Sequence, residues 1–135
     1  MRRSGSSRFQ MSEAKPPYVA YLAGPMRGLP GCNFEAFFAA ERKWSVHPLI
    51  GKIVNPARMD VETLKFVPPP EQTAISSMDL RLCLKRDLSA ICDECEAMIM
   101  LPGWENSRGA VTEHALAKAL NLKIFYENDF PVTQG

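Results

Sequence analysis

Asn106-Ser107-Arg108-Gly109-Ala110-Val111-Thr112-Glu113 is the stretch whose residue types and spacing most resemble a working site. It follows a short apolar run, residues 97–101, and a turn through Pro102-Gly103-Trp104. A strand that turns into a Ser-capped helix sets backbone N–H groups and a hydroxyl at the carboxyl edge of a sheet, where an anion can sit. Glu113 then falls among Ala110, Ala117 and Leu120, and small neighbours leave room above its carboxylate for something flat or ring-shaped. Two more groups carry weight. Arg27 sits in a loop with three glycines, Gly24, Gly28 and Gly31, and reads either as a bidentate phosphate clamp or as an exposed loop arginine. Asp87 lies at the margin of an apolar helical stripe (Leu80, Leu84, Leu88, Ile91), where a carboxylate is costly unless hydrogen-bonded or functional. Its structural alternative is a salt bridge to Arg81, Lys85 or Arg86, which the helical wheel points elsewhere. By spacing alone, Glu113 reads as a solvated glutamate pairing with Lys118 or Lys123. His114, its neighbour, faces another way and reads as a packing or edge residue.

These groups need a scaffold that brings loops together. Apolar runs predict strands at 18–23, 52–55, 97–101 and 122–126. Helical spacing predicts helices at 34–46 (with Asn33 as N-cap), 75–92 and 107–120. Residues 57–75, with Pro68-Pro69-Pro70, predict a long loop, and Pro56 predicts the end of the second strand. Strands alternating with helices imply an α/β fold: a single-domain, Rossmann-like parallel sheet of four or five strands flanked by helices. Ligands then belong outside the carboxyl ends of the strands, near Ala23, Asn55 and Leu101. The loop after the first strand is neither a dinucleotide fingerprint nor a phosphate-binding loop of the Walker type.

Composition narrows the classes. The chain has 135 residues, enough for one domain with a real core, here 17–130. Net charge is +1, and Arg2, Arg3 and Arg8 stand in a polar stretch, 1–16, that reads as a disordered leader with Met11 as an alternative start. The body is slightly acidic, so no electrostatic footprint for polymeric nucleic acid is expected. No apolar run approaches the roughly 20 residues of a bilayer span, and the N-terminus lacks the apolar segment of a secretion signal. Cys32, Cys83, Cys92 and Cys95 are expected as reduced cytoplasmic thiols. Cys92 and Cys95 form a CxxC, but it falls at a helix end before a strand rather than at a helix N-terminus, and few further zinc ligands are at hand.

Tyr21-Leu22-Ala23-Gly24-Pro25-Met26-Arg27-Gly28, then Arg86-Asp87-Leu88, then Ser107-Arg108-Gly109-Ala110-Val111-Thr112-Glu113-His114-Ala115, in that order, resemble the nucleoside 2-deoxyribosyltransferase superfamily. The chain looks closest to a small group of that superfamily often seen in bacteriophage genomes, and it is similar to the 2′-deoxynucleoside 5′-phosphate N-hydrolases. The resemblance covers about residues 18–126. It implies that Glu113 attacks C1′ of the sugar and that Asp87 helps protonate the departing base. It implies that Gly24, Arg27, Gly28, Ser107 and Gly109 line a 5′-phosphate pocket. Phe34, Trp104 and the 57–75 loop are candidate stacking walls for the base, or structural residues. The implied partner is a small-molecule nucleotide or nucleoside, with no metal or organic cofactor, in a homodimer that the apolar helix at 76–92 could join. Two departures stand out: Pro25 replaces a hydroxyl residue, and Thr112 an aromatic one. The expected activity is N-glycosidic cleavage of a (2′-deoxy)nucleoside 5′-monophosphate through a glycosyl-Glu113 ester. The alternatives are a nucleotide-binding protein without turnover, or base exchange between nucleosides.

Overall fold

The structure, a computed structural model, describes residues 14–77 and 79–131; residues 1–13 of the expected leader, with Met11, lie outside them. Four strands form one sheet: β1 (Tyr18–Ala23), β2 (Ile50–Val54), β3 (Ala97–Met100) and β4 (Lys123–Tyr126). All pair in parallel, in the order β2-β1-β3-β4. Four helices connect them: α1 (Phe34–Trp44), α2 (Pro56–Leu64), α3 (Leu80–Glu94) and α4 (Arg108–Ala119). The chain leaves β1 for β2 on one side and returns to place β3 on the other. The carboxyl ends of β1 and β3 therefore diverge into a crevice, the place where open α/β sheets bind ligands.

Alternation along β1 decides which helix covers which face. Ala20 and Leu22 pack with Phe34, Phe37, Ala40 and Trp44 of α1. Tyr21 and Ala23 face the opposite way, with Ile91 of α3 and with Ala110 and Ala117 of α4. The central strand β3 is buried throughout, as expected of a parallel strand covered on both faces. Where β1 ends, the backbones close up. A methyl group on Gly24 would lie 2.7 Å from Cβ of Leu101, so only glycine fits there without displacement.

The structure corrects several boundaries. Residues 57–64 are not loop but most of α2. Pro56 opens that helix instead of merely ending a strand, because a proline N–H is not needed in the first turn. The Asn55 side chain caps it, accepting from the Ala57 N–H at 2.9 Å. Helix α3 begins at Leu80, not near 75, because Asp79 accepts the Arg81 N–H at 2.7 Å and fixes the start. Ile75 packs against the core instead. Asn33 is not a side-chain cap for α1. It adopts a left-handed conformation and donates to the Pro25 carbonyl at 2.8 Å, tying down the loop after β1. Asn55 has a second role, since its Nδ2 donates to Glu41 on α1 at 2.8 Å. Asn55→Ala is expected to lower stability by about 1–2 kcal/mol, read by urea denaturation; an unchanged midpoint would show that α2 holds without its cap.

Candidate functional site: a carboxyl pair at the sheet switch point

Small side chains explain how a glutamate comes to face a sheet. Ala110, Glu113 and Ala117 share the buried face of α4, and the two alanines let the helix lie close against the strands. Glu113 is only 6% exposed. Its partner comes from β1: the Tyr21 hydroxyl, fully buried, donates to Glu113 Oε2 at 2.8 Å. Glu113 is therefore not the solvated glutamate that its spacing to Lys118 and Lys123 allowed.

Asp87 comes from α3, which packs beside α4, and it too is buried. The two carboxyl groups and the Tyr21 hydroxyl lie close enough for each to influence the protonation of the others. Arg86 supplies the counter-charge. Its Nε donates to Asp87 Oδ1 at 2.8 Å, and its Nη1 donates to Asp60 Oδ1 on α2 at 2.7 Å. Arg86 was expected to point away from its neighbour. The guanidinium is long enough to fold back, so an ion pair forms between adjacent residues that the helical wheel separates.

Burial dominates the protonation of this group. It raises Glu113 from its ordinary value of 4.5 to about 8, reinforced by the charge of Asp87 and opposed by the Tyr21 hydrogen bond and by Arg86. Burial also raises Asp87, with Arg86 opposing, and raises Asp60, again with Arg86 opposing. Desolvation lifts Tyr21 further above its already high value, so its hydroxyl stays a donor. The Asp87–Glu113 pair thus retains a proton near neutral pH.

A cavity of about 460 Å³ opens over the pair, within the range of small-molecule sites. Gly24, Arg27, Asp87, Ser107, Gly109 and Glu113, all expected site residues, line it together. Ser107 caps α4, its hydroxyl accepting the Ala110 N–H at 3.2 Å, so the first turn of α4 faces the cavity. Three expected residues are placed elsewhere. Gly28 lies outside the lining and its N–H is engaged by the Thr73 carbonyl at 2.8 Å, leaving it no donor for a ligand. Phe34 is 2% exposed within the α1 core and has no free face for stacking. Trp104 stacks on His114, ring centroids 4.2 Å apart, outside this cavity. His114 also contacts the Tyr126 hydroxyl at 3.2 Å, as befits an edge residue.

Three members of the site escaped the sequence reading. Tyr21 carried a signal, because a tyrosine in a short buried strand needs a partner for its hydroxyl. Asp60 was hidden when its helix was read as loop. Arg86 was set aside by geometry that its own length overcomes. The CxxC cysteines are free thiols at the end of α3. Among the described residues, no group of three or more His, Cys, Asp or Glu side chains is placed to hold a metal ion, and no helix is long and apolar enough to cross a membrane.

Fold and cavity together define the class: a parallel α/β domain with a ligand-sized pocket, floored by paired carboxyl groups, at its topological switch point. Residues 18–126 match the family described as a domain of unknown function, DUF4406, and the chain belongs to that family. No curated protein and no solved structure matches the chain.

Because folding raises Glu113, the folded chain holds that proton more tightly than the unfolded chain. The stabilisation is complete below about pH 4.5 and is lost as pH rises toward about 8. Stability of the wild type should fall across that window by on the order of a few kcal/mol. Glu113→Gln, which keeps an acceptor for Tyr21, should flatten much of the slope. Melting curves at several pH values test this, and parallel profiles for the two proteins would contradict it.

Proposed function

We propose that this protein is an N-glycosidase that cleaves the base–sugar bond of a (2′-deoxy)nucleoside 5′-monophosphate. The observation that carries the reading is one buried pair of carboxyl groups, Glu113 held by Tyr21 and Asp87 held by Arg86, lining a cavity that also holds the first turn of α4. The ordered resemblance to the nucleoside 2-deoxyribosyltransferase superfamily supports it from the sequence side.

In the proposed reaction the 5′-phosphate lies at the start of α4, near Ser107 and Gly109 with Arg27 close by. Backbone N–H groups and the helix dipole favour an anion there. The sugar then lies over Glu113. A glycosidase of this type needs one ionised and one protonated carboxyl group, and a pair that keeps a single proton contains both. The proton passes to Asp87 as the Glu113 carboxylate forms a bond to C1′. The C1′–N bond breaks, and its electron pair leaves with the base, which takes the proton from Asp87. Water, deprotonated by the Asp87 carboxylate, attacks C1′ of the ester, releasing Glu113 and the sugar phosphate. The Tyr21 hydrogen bond favours the ionised form of Glu113 and holds one of its oxygens in place. If a second base took the place of water, the same ester would give base exchange.

One observation favours a second reading, a nucleotide-binding protein without turnover. Glu113 raised to about 8 is largely protonated in the free protein at neutral pH, and a neutral carboxyl group is well suited to hydrogen-bond a ribose hydroxyl. Incubation with a nucleotide panel separates the readings. Free base released by wild type, and lowered at least about 1,000-fold in Glu113→Gln, is the glycosidase result. Stabilisation by intact nucleotide with no base over hours is the binding result. For the glycosidase, kcat/KM should decline above about pH 8 as the pair loses its proton, and an activity still rising at pH 9 would refute the shared-proton step.

A further inference from the structure

Asp60 is 4% exposed, yet it lines the cavity. One of its oxygens, Oδ1, accepts from Arg86 Nη1 at 2.7 Å. Its other oxygen, Oδ2, has no hydrogen-bond partner among the described residues. A buried acceptor left unsatisfied costs free energy and calls for an explanation. Arg86, alongside it, is also under-used. Of its five N–H donors, the hydrogen bonds to Asp87 and Asp60 use Nε and Nη1, and Nη2 has no acceptor among the described residues. The cavity wall therefore offers a carboxylate acceptor beside guanidinium donors.

The position of this pair along the pocket gives it a role. Ser107 and Gly109 mark the helix N-terminus, Glu113 and Asp87 follow, and the chain of ion pairs continues through Arg86 to Asp60. On the nucleotide reading, a phosphate at α4 and a sugar over Glu113 leave the part of the same cavity lined by Arg86 and Asp60 for the base. We propose, resting on the nucleotide reading above, that Asp60 is the specificity-determining residue and selects a base carrying an exocyclic amino group. The amino group donates to Asp60 Oδ2, and a neighbouring ring nitrogen or carbonyl accepts from Arg86. A base with a carbonyl oxygen at that place sets two acceptors against each other in a buried site. Sites built to receive an N–H group reject analogues lacking it far more strongly than apolar pockets reject a methylene.

Asp60→Asn separates these roles. Its carbonyl oxygen can still accept from Arg86, while its amide nitrogen presents a donor to the cavity, so the preference should move toward the carbonyl base. Asp60→Glu keeps the charge opposite Arg86 but shifts the oxygens by a methylene, and should also lose discrimination. The experiment compares two matched pairs at pH 7: 2′-deoxycytidine with 2′-deoxyuridine 5′-monophosphate, and 2′-deoxyadenosine with 2′-deoxyinosine 5′-monophosphate. Wild type should favour the amino member of at least one pair by about 100-fold or more in kcat/KM. Both variants should bring that ratio within about tenfold of unity or reverse it, with melting curves recorded to confirm folding. Where nucleotide stabilises the protein without base release, the same comparison is read from the shift in Tm. Equal treatment of both members of each pair, or a preference unchanged in both variants, overturns the role of Asp60 and leaves the glycosidase reading standing. No base release and no stabilisation by any of the four overturns both.

Discussion

Two carboxyl groups buried under a parallel sheet's open edge set the terms for the rest of this structure. Glu113 and Asp87 lose hydration that only specific partners replace, and an unpaired buried charge costs several kcal/mol. The fold meets that cost with three groups from three elements: Tyr21 from β1, Arg86 from α3 and, behind it, Asp60 from α2. Even so, burial prevails over the partners, since all three acids are raised rather than lowered. A domain concerned only with stability would do better with apolar residues at these positions. The retained carboxyl pair is the strongest physical argument that the cavity acts on something.

The same requirement shapes the packing. Helix α4 can present a glutamate to a sheet only if its neighbours on that face are small, and Ala110 and Ala117 are. Strand β1 can offer a hydroxyl there only if its alternation turns Tyr21 toward α4 while Leu22 goes to the opposite core. Gly24 lets the end of β1 approach Leu101, so the loop bearing Arg27 reaches the cavity rim. Bringing α2 inward requires Asn55, which caps that helix and also grips Glu41 on α1.

Much of this was legible in the sequence, and the reasons for the remainder are physical. Strand and helix alternation identified the parallel α/β sheet because buried strands and amphipathic helices carry strong periodic signals. Topology gathered the loops bearing Arg27 and Ser107 at one edge of the sheet, and the resemblance to the nucleoside 2-deoxyribosyltransferase superfamily added Gly24, Gly109, Asp87 and Glu113, all of which line the cavity. Helix α2 was not legible, because Pro56 punctuates a strand as readily as it opens a helix, and Asp60 disappeared with it. Phe34 and Trp104, left open between stacking walls and structural residues, are settled by packing. An aromatic near a pocket in sequence is claimed by whichever apolar surface is closer, here the α1 core and His114. Gly28 shows that a glycine-rich loop offers a donor only where the fold leaves it free.

The cavity's charge is arranged as well as balanced. Asp60, Asp87 and Glu113 are the buried acids of its lining, and Arg86 bridges Asp60 and Asp87. Arg27 and Arg108 line it from exposed positions, Arg108 in the first turn of α4 and Arg27 in the loop after β1. A ligand that is anionic at one end and hydrogen-bonding at the other matches this gradient, whereas an anion driven inward would meet three carboxyl groups. A ligand filling the cavity would exclude water from these buried acids. That raises the cost of a second negative charge on the pair and strengthens its hold on the proton. The desolvation that makes the pair expensive is therefore the same effect that would hold its proton once the cavity is filled.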